Sequence, residues 1–421
     1  MRLMLVGSGG AREHALAWAF AKGGHETVCA HGNVGTGDIA RDVRLDPEDP
    51  KAVVAACGEI GPDLVVVGPE GPLAAGVVDA LTDSGFAAFG PRKAAAALES
   101  SKSFARTFSE RWGVPCAATA RFTDVAAFRR FLTERRGDRL VLKKNGLAAG
   151  KGVLESDDPA ELASFGEAIL ASDELLAEEF LIGPELSVFA ISDGKDYIVL
   201  PACADHKKAG AGDTGPNTGG MGAICPVPYA DAAIMARIDR EIVEPTFRGM
   251  ASEGLAYRGV LFFGVMATDR GPKLLEYNVR FGDPETQSLL PLLETDAAEL
   301  MAAAARGNLS AVKPSFSKDY ACGVVVAAPG YPGSYPKGIA TDLSATEALT
   351  KDGRSLLFHA STSRGADGSV RTGGGRCFTA VGLGASWAEA RSRAYAMAAA
   401  VRFDGAWYRP DIGAKAYYGA V

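Results

Sequence analysis

The first hundred residues alternate short β-favouring runs with helical runs, and this rhythm restricts the possible folds more than any other feature of the chain. The pattern predicts strands over residues 3–6, 26–30, 63–67 and 87–89, and helices over residues 13–22, 50–60 and 73–84. Because strands joined by helices pair in parallel, we expect a doubly wound parallel sheet of the α/β class. Ligands of such sheets bind beyond the carboxyl ends of the strands.

Two glycine-containing loops follow predicted strands of this sheet, GSGGAREH at residues 7–14 and GPEGPL at residues 68–73. The first loop does not fit the dinucleotide pattern G-x-G-x-x-G, because Arg12 occupies the third glycine position. We favour a monophosphate site, because glycines with free backbone N–H groups at the start of a helix can bind an anion. A plain tight turn and a dinucleotide site remain the alternatives.

A second glycine-rich run, GLAAGKG at residues 146–152, follows a predicted strand over residues 140–143 that ends at Lys143. The run resembles a Walker A loop, but it is one residue short between its glycines, and Gly152 replaces the serine or threonine. It also leads into another predicted strand, over residues 153–155, instead of a helix. We therefore expect a hairpin that folds over the phosphates of a nucleotide.

Residues 205–223, DHKKAGAGDTGPNTGGMGA, combine six glycines with many short polar side chains and show no hydrophobic period. A flexible linker is one interpretation. The presence of Asp205, Lys207, Asp213 and Asn217 favours a substrate-binding loop, since functional residues concentrate on loops held by a scaffold.

The run KLLEYNVRFGDPETQ at residues 273–287 begins as an alternating strand. Period two places Leu275, Tyr277 and Val279 on one face and Glu276, Asn278 and Arg280 on the other. The first two polar residues offer the oxygen ligands that Mg²⁺ accepts beside phosphate oxygens, and the guanidinium suits an anion. A half-exposed strand with solvated polar residues is the alternative.

The composition is that of an ordinary globular chain of about two to four domains, with 421 residues of which 47% are hydrophobic and 23% charged. The formal net charge of -7 argues against a nucleic-acid surface, and no apolar run reaches the length of a membrane span. Seven scattered cysteines without a C-x-x-C pair indicate reduced thiols in the cytoplasm. Strands predicted over residues 320–327, 355–359 and 378–383, with a helix over 387–401, indicate a small α+β unit.

Taken in order, these motifs resemble those of the phosphoribosylamine–glycine ligases, also called glycinamide ribonucleotide synthetases, a family of the ATP-grasp superfamily. The resemblance implies an N-terminal phosphoribosylamine-binding α/β domain over residues 1–100, an ATP-grasp domain over 101–308 and a C-terminal α+β domain over 318–421. The chain departs from the family pattern at Ala11, an extra residue in the first loop, and at Asn145, where aspartate is common.

The implied reaction joins glycine to 5-phosphoribosylamine and gives glycinamide ribonucleotide, ADP and phosphate through a glycyl phosphate, in de novo purine biosynthesis. ATP is the co-substrate and Mg²⁺ or Mn²⁺ the metal. We expect a cytoplasmic monomer whose partners are these small molecules, with neither nucleic acid nor membrane among them. Another ATP-grasp ligase or carboxylase, and a nucleotide-binding regulator without turnover, are the alternatives.

The resemblance also implies roles for individual residues. Arg280 and Lys207 would be catalytic, and Glu276 and Asn278 would hold the metal. ATP would be bound by Lys102, Lys143, Gly150, Lys151, Gly152, Glu178, Phe180 and Glu185, with Glu178 and Glu185 accepting from the adenine amino group and the ribose hydroxyls. The other substrates would be bound by Gly9, Gly10, Glu70, Asp205, Asp213, Asn217, Thr218, Gly219, Gly220, Met221 and Asp283.

Overall fold

The computed structural model describes residues 1–7, 9–147 and 152–414. Its N-terminal part is a five-stranded sheet in the order β3-β2-β1-β4-β5, in which all pairs are parallel. The strands are β1 (Arg2–Val6), β2 (Glu26–Ala30), β3 (Arg41–Val43), β4 (Leu64–Val67) and β5 (Ala88–Phe89). The helices are α1 (Ala11–Lys22), α2 (Val34–Ile39), α3 (Pro50–Ile60), α4 (Glu70–Ala75), α5 (Val77–Asp83) and α6 (Lys93–Ser100). This confirms the predicted doubly wound parallel sheet.

The helix predicted over residues 73–84 is in fact two helices, α4 and α5. Gly76 separates them with a φ of 91°, a left-handed conformation that glycine adopts without steric cost. The sequence pattern missed the break because both helices bury apolar residues with helical spacing.

The central part contains two antiparallel four-stranded sheets, β6-β9-β7-β8 and β11-β10-β16-β17. The first sheet consists of β6 (Thr119–Phe122), β7 (Leu140–Lys144), β8 (Val153–Ser156) and β9 (Leu175–Glu179). The second consists of β10 (Glu185–Asp193), β11 (Tyr197–Val199), β16 (Arg258–Thr268) and β17 (Gly271–Asn278). Four short strands of this part lie outside both sheets, namely β12 (Ala204–Asp205), β13 (Lys208–Gly210), β14 (Thr214–Asn217) and β15 (Gly222–Cys225). The helices are α7 (Lys102–Trp112), α8 (Val125–Glu134), α9 (Pro159–Leu170), α10 (Ala232–Ile238), α11 (Glu244–Ser252), α12 (Glu285–Leu289) and α13 (Ala297–Arg306). Each sheet packs its apolar face on helices, and the two sheets enclose a cleft between them.

The C-terminal part contributes β18 (Tyr320–Ala327), α14 (Glu347–Thr350), β19 (Ser355–His359), β20 (Thr362–Arg364), β21 (Val370–Thr372), β22 (Arg376–Gly384) and α15 (Trp387–Ala400). Its main sheet has the order β12-β15-β18-β22-β19, so two strands from the central segment belong to it. The glycine-rich segment at 205–223 therefore begins and ends in this sheet, and its middle forms the hairpin β13-β14. Within the described residues, no helix combines the length and apolar composition that a bilayer crossing requires.

Candidate active site

A cleft of about 510 Å³ lies between the two central sheets and is lined by residues of β7 and β17 and of the helices α1, α6 and α7. It also receives residues from the glycine-rich segment and from the C-terminal sheet. The predicted site residues that line it are Gly10, Glu70, Lys102, Lys143, Gly152, Glu178, Asp205, Lys207, Thr218, Gly219, Glu276, Asn278, Arg280 and Asp283. Side chains separated by more than 200 positions in the sequence thus meet in one place.

A β-bulge in β17 changes the predicted alternation at Leu275. Glu276 pairs with Gly264 while Leu274 pairs with the neighbouring Val265, so Leu275 is an extra residue. The expectation that Leu275 shares a face with Tyr277 and Val279 is wrong, because Leu274 is 0% exposed and Leu275 is half-buried and lines the cleft. An inserted residue shifts the two-residue period by one position.

Beyond the bulge, the predicted alternation holds. Tyr277 and Val279 are each 2% exposed. Glu276, Asn278 and Arg280 all line the cleft. One face of the strand end therefore presents a carboxylate, an amide and a guanidinium, as the sequence predicts.

Glu178 is the centre of a buried ion-pair cluster behind this strand. Its carboxylate accepts from Arg106 Nε at 2.7 Å and lies 2.7 Å from Lys143 Nζ. Burial would raise the pKa of Glu178, but the two cations lower it to about 2. Arg106 and Lys143 also donate to the carbonyl of Leu275, at 2.7 Å and 3.1 Å. Both oxygens of Glu178 therefore hold cations that anchor the bulge, and the contact of Glu178 with adenine stays a prediction.

Lys207 joins two acidic groups at the floor of the cleft. Its ammonium donates to the carboxylate of Glu185 and lies 3.8 Å from Glu276 Oε1. Although burial opposes the charge, Glu185 and Glu276 raise the pKa of Lys207. Burial likewise opposes ionisation of Glu276, but Lys207 and the nearby lysines 143 and 102 lower its pKa. Glu276 is thus an ionised carboxylate, and Glu185 is paired with Lys207.

Arg280 is held by a network that links β17 to the N-terminal domain. Its guanidinium donates to Glu70 at 3.1 Å and to Asn278 Oδ1 at 3.2 Å, and lies 3.2 Å from Glu99. Glu99 also accepts the backbone N–H of Val279 at 2.7 Å. Burial raises the pKa of Glu99, whereas Arg280 keeps the pKa of Glu70 below its ordinary value despite burial. The network fixes the strand end that carries the candidate metal ligands.

The oxygen atoms of Glu276 and Asn278 fit a divalent cation that shares its coordination with phosphate oxygens. Among the residues that the structure describes, no group of three or more His, Cys, Asp or Glu side chains is arranged to hold a metal by itself. Mg²⁺ is usually held by one or two protein carboxylates together with substrate phosphates and water. The ionised Glu276 and the neighbouring amide meet that requirement.

The first turn of α1 differs from the predicted phosphate cradle. The N–H of Gly10, expected to be free, donates to the Glu13 carboxylate at 3.0 Å. The N–H of Arg12 lies 3.4 Å from Asp283 Oδ2, and its guanidinium donates to the carbonyl of Phe281 at 3.1 Å. Two carboxylates therefore already occupy this helix N-terminus, because its amide groups attract negative charge.

The predicted nucleotide hairpin is described only at its two ends. Gly150 and Lys151 lie outside the described residues. At the base of the hairpin, Lys102 Nζ donates to the carbonyl of Gly146 at 3.1 Å, and Asn145 Oδ1 accepts from the first turn of α7. Asn145 thus joins the hairpin to α7.

Several predicted residues do not line the cleft, namely Gly9, Phe180, Glu185, Asp213, Asn217, Gly220 and Met221. The guanidinium carbon of Arg139 lies over the ring of Phe180, 3.9 Å from the centroid of the ring. Asp213 lies at the hairpin turn and pairs with Arg409 at 2.9 Å, while Met221 is fully buried in the core. The hairpin β13-β14 carries its turn residues away from the cleft, which no local pattern indicated.

Asp205 and Glu285 place two acidic groups close together in the cleft wall. Asp205 Oδ1 is buried and has no hydrogen-bond partner among the described residues. Burial and the neighbouring Glu285 raise the pKa of Asp205 well above its ordinary value. Glu285 accepts from Ser187 Oγ at 2.9 Å.

The sequence missed a further set of cleft residues, namely Arg12, Glu13, Glu99, Arg106, Glu285, Tyr331 and Arg376. Three of them, Arg12, Glu13 and Glu285, stand inside motifs that the sequence singled out. The other four reach the cleft through long-range packing and carry no local signal.

Three family models match the chain in sequence order. The phosphoribosylglycinamide synthetase N domain matches residues 1–99, the ATP-grasp (A) domain residues 100–286 and the C domain residues 321–415. This chain belongs to the phosphoribosylglycinamide synthetase family. Its three-domain architecture, with a central ATP-grasp fold between the parallel sheet and the α+β domain, agrees with the predicted fold class.

Curated relatives support the assignment over the whole length. The phosphoribosylamine–glycine ligase of Rhodopirellula baltica is 44% identical, over 98% of this chain and 97% of the relative. The phosphoribosylamine–glycine ligase of Agrobacterium fabrum is 43% identical, over 99% of each. The trifunctional purine biosynthetic protein adenosine-3 of Gallus gallus is 41% identical over 99% of this chain and 42% of its own length.

Solved structures show the same fold. The crystal structure of phosphoribosylamine–glycine ligase from Thermotoga maritima superposes with a TM-score of 0.82 at 32% identity, over 98% of this chain and 100% of that one. A biotin carboxylase from Campylobacter jejuni superposes with a TM-score of 0.72 at 14% identity, over 100% of this chain and 95% of that one, which shows a shared fold only.

Proposed function

We propose that this chain ligates glycine to 5-phosphoribosylamine with conversion of ATP to ADP and phosphate, and so forms glycinamide ribonucleotide in purine biosynthesis. The observation that carries the proposal is the end of β17, where Glu276, Asn278 and Arg280 meet Lys207 in one cleft. Relatives named phosphoribosylamine–glycine ligase that match nearly the whole chain support the substrates.

The chemistry requires positive charge around the terminal phosphate of ATP. A carboxylate is a poor electrophile because its charge repels nucleophiles and oxide is a poor leaving group. Transfer of the γ-phosphate to the glycine carboxylate makes a glycyl phosphate and removes both defects. Catalysis of such a transfer is mostly positioning and charge neutralisation.

Basic side chains that line the cleft can supply that charge, and we assign this task to Lys102, Lys143, Lys207 and Arg280. Neighbouring carboxylates raise the pKa of both Lys207 and Arg280 despite burial, so these two groups stay charged in the closed site. We assign Arg280 to the acyl phosphate and Lys207 to the phosphates or the ribose. When a substrate binds, each of these two cations must replace a contact with a protein carboxylate by a contact with the substrate.

ATP-grasp ligases use ATP and a divalent metal ion. We propose that Glu276 and Asn278 hold Mg²⁺ or Mn²⁺, which would neutralise charge on the β- and γ-phosphates. Glu276 is ionised and lines the same cleft as Asn278, whose Oδ1 atom would exchange its contact with Arg280 for the ion.

The second half of the reaction is attack of the ribosylamine nitrogen on the glycyl carbon, with phosphate leaving. We propose that the phosphoribosylamine lies against Gly9, Gly10 and Glu70, and that the wall formed by Asp205 and Asp283 contacts the substrates. The proposed domains are residues 1–100, 101–308 and 318–421. A monomeric state and a cytoplasmic location stay predictions from the sequence.

Product analysis tests the proposal. The purified protein is incubated with ATP, Mg²⁺, glycine and freshly formed phosphoribosylamine, and glycinamide ribonucleotide is identified by its mass. We expect phosphate release only when both co-substrates are present. Phosphate release with bicarbonate and without glycine would favour a carboxylase, and nucleotide binding without turnover would favour a regulator. Either result would contradict the proposal.

A further inference from the structure

The C-terminal domain places one arginine in the cleft that no motif of the sequence indicated. Arg376 is the first residue of β22 and follows a run of three glycines at residues 373–375. Its side chain is 23% exposed and lines the cleft. The residue therefore brings a fixed positive charge from the C-terminal sheet to the substrate side of the site.

The contacts of Arg376 use one end of its guanidinium. Nη1 donates to the carbonyl of Gly219 at 2.5 Å and to the carbonyl of Asp283 at 2.8 Å, and it lies 3.2 Å from Asp283 Oδ1. For Nε and Nη2, the described residues provide no hydrogen-bond partner. Two adjacent N–H donors of one planar group are thus left for a ligand in the cleft.

The orientation of this guanidinium is fixed by the glycine-rich segment. A Cβ at Gly219 would lie 3.0 Å from the guanidinium carbon of Arg376, so the glycine backbone packs directly on the planar group. The N–H of Gly219 donates to the hydroxyl of Tyr331 at 3.0 Å. Both backbone groups of Gly219 are therefore held by the C-terminal domain, and the guanidinium that packs on this glycine lines the cleft.

Arg376 lies on the same side of the cleft as the first turn of α1. Asp283 connects the two, because its Oδ2 atom lies 3.4 Å from the N–H of Arg12 and 3.4 Å from a Cβ built at Gly10. The amide groups of Gly10 and Arg12 are already engaged by carboxylates, so the helix N-terminus needs a further group to bind an anion there. Arg376 supplies the open donor pair.

We propose that Arg376 binds the phosphate of the phosphoribosyl substrate through Nε and Nη2, with Tyr331 and Asp283 as positioning residues. The inference rests on the proposed function. A planar guanidinium with two parallel N–H groups matches the geometry of a phosphate. The glycine carboxylate is an anion that such a fork also accepts, and the experiment separates the two.

The test compares Arg376→Gln with Arg371→Gln, a matched control in the same domain whose arginine pairs with Asp367 at 3.0 Å away from the cleft. Steady-state kinetics give KM for each substrate. We expect the KM for phosphoribosylamine to rise about 10- to 100-fold in Arg376→Gln, the loss typical of a charge-assisted hydrogen-bonded pair, with the KM values of glycine and ATP within about twofold of wild type. Arg371→Gln should match wild type in all three.

Binding of ribose 5-phosphate, measured by calorimetry, makes the test independent of turnover. Wild type and Arg371→Gln should bind it, and Arg376→Gln should bind it at least about tenfold more weakly. Equal binding by Arg376→Gln, or a rise in the KM of glycine instead of phosphoribosylamine, would overturn the assignment. A wild-type protein that binds ribose 5-phosphate through Arg376 but makes no product would contradict the proposed function and leave the phosphate site intact.

Discussion

Glu178→Gln tests the most heavily buried part of the site. The side chains of Glu178, Arg106 and Lys143 are only 2%, 5% and 9% exposed, and the two cations share one counter-charge. Replacing the carboxylate with an amide keeps the shape and removes that charge. Arg106 and Lys143 would then remain buried without it, and the Leu275 carbonyl that they anchor would lose its fixed position.

The size of the effect follows from the pKa. The fall in the pKa of Glu178 from 4.5 to about 2 corresponds to about 3 kcal/mol of folding stability, since each unit of pKa difference is worth about 1.4 kcal/mol. Removing one partner of a buried ion pair typically costs about 3–5 kcal/mol, which agrees. Because the folded carboxyl has the lower pKa, this stability is present above pH 4.5 and is lost as the pH falls towards 2.

Hydrogen exchange at pH 7 is the suitable assay, since a chain of several domains does not unfold in one step. The amides of β7 and β9 should exchange with a free energy of opening about 3 kcal/mol lower in Glu178→Gln, and the KM for ATP should rise. Glu167→Gln is the matched control, because its exposed pair with Arg129 joins the helices α8 and α9, which pack on the same sheet. A loss below about 1 kcal/mol, with the KM for ATP unchanged, would refute the role of Glu178.

Two further predictions concern the metal strand and acid stability. Glu276→Gln should keep the fold and lose most turnover, because it removes the charge of the proposed metal ligand; a near-normal kcat at saturating Mg²⁺ would contradict this. His14 and His359 are buried against each other, and burial lowers their pKa values to about 3 and about 4. Their stabilisation is complete above pH 6.5 and is lost as the pH falls below it, by roughly 2 kcal/mol each at pH 5. Hydrogen exchange of the amides of α1 and β19 at pH 7 and pH 5, corrected for the intrinsic exchange rates, measures it, and equal free energies of opening at the two pH values would contradict it.

Elements with strong local signals were predictable. The helix over residues 50–60 begins with proline after an aspartate that caps it and ends at Gly61 in a left-handed conformation, and its bounds match the prediction. The strands at 26–30, 320–327 and 355–359 also have the predicted bounds. In each of these, burial and turn chemistry agree with the pattern of neighbouring residues.

Features set by distant contacts were not predictable. The bulge at Leu275 depends on the register with β16, and the membership of β12 and β15 in the C-terminal sheet depends on pairing with β18. Glu99, Arg106 and Arg376 act through partners that are far away in the sequence. The sequence therefore placed Glu276, Asn278 and Arg280 on one face of a strand end, but it could not supply the buried charges that hold them.

The fate of the glycine carboxylate oxygen shows whether the carboxylate attacks the γ-phosphorus of ATP. If the carboxylate attacks the γ-phosphorus within the charge field of Lys207 and Arg280, one carboxylate oxygen must leave with the phosphate. The enzyme is supplied with ATP, phosphoribosylamine and glycine carrying ¹⁸O in its carboxylate, and the products are analysed by mass. The account predicts ADP and inorganic phosphate that carries one ¹⁸O for each glycinamide ribonucleotide formed. AMP carrying the label, or unlabelled phosphate formed together with product, would contradict it.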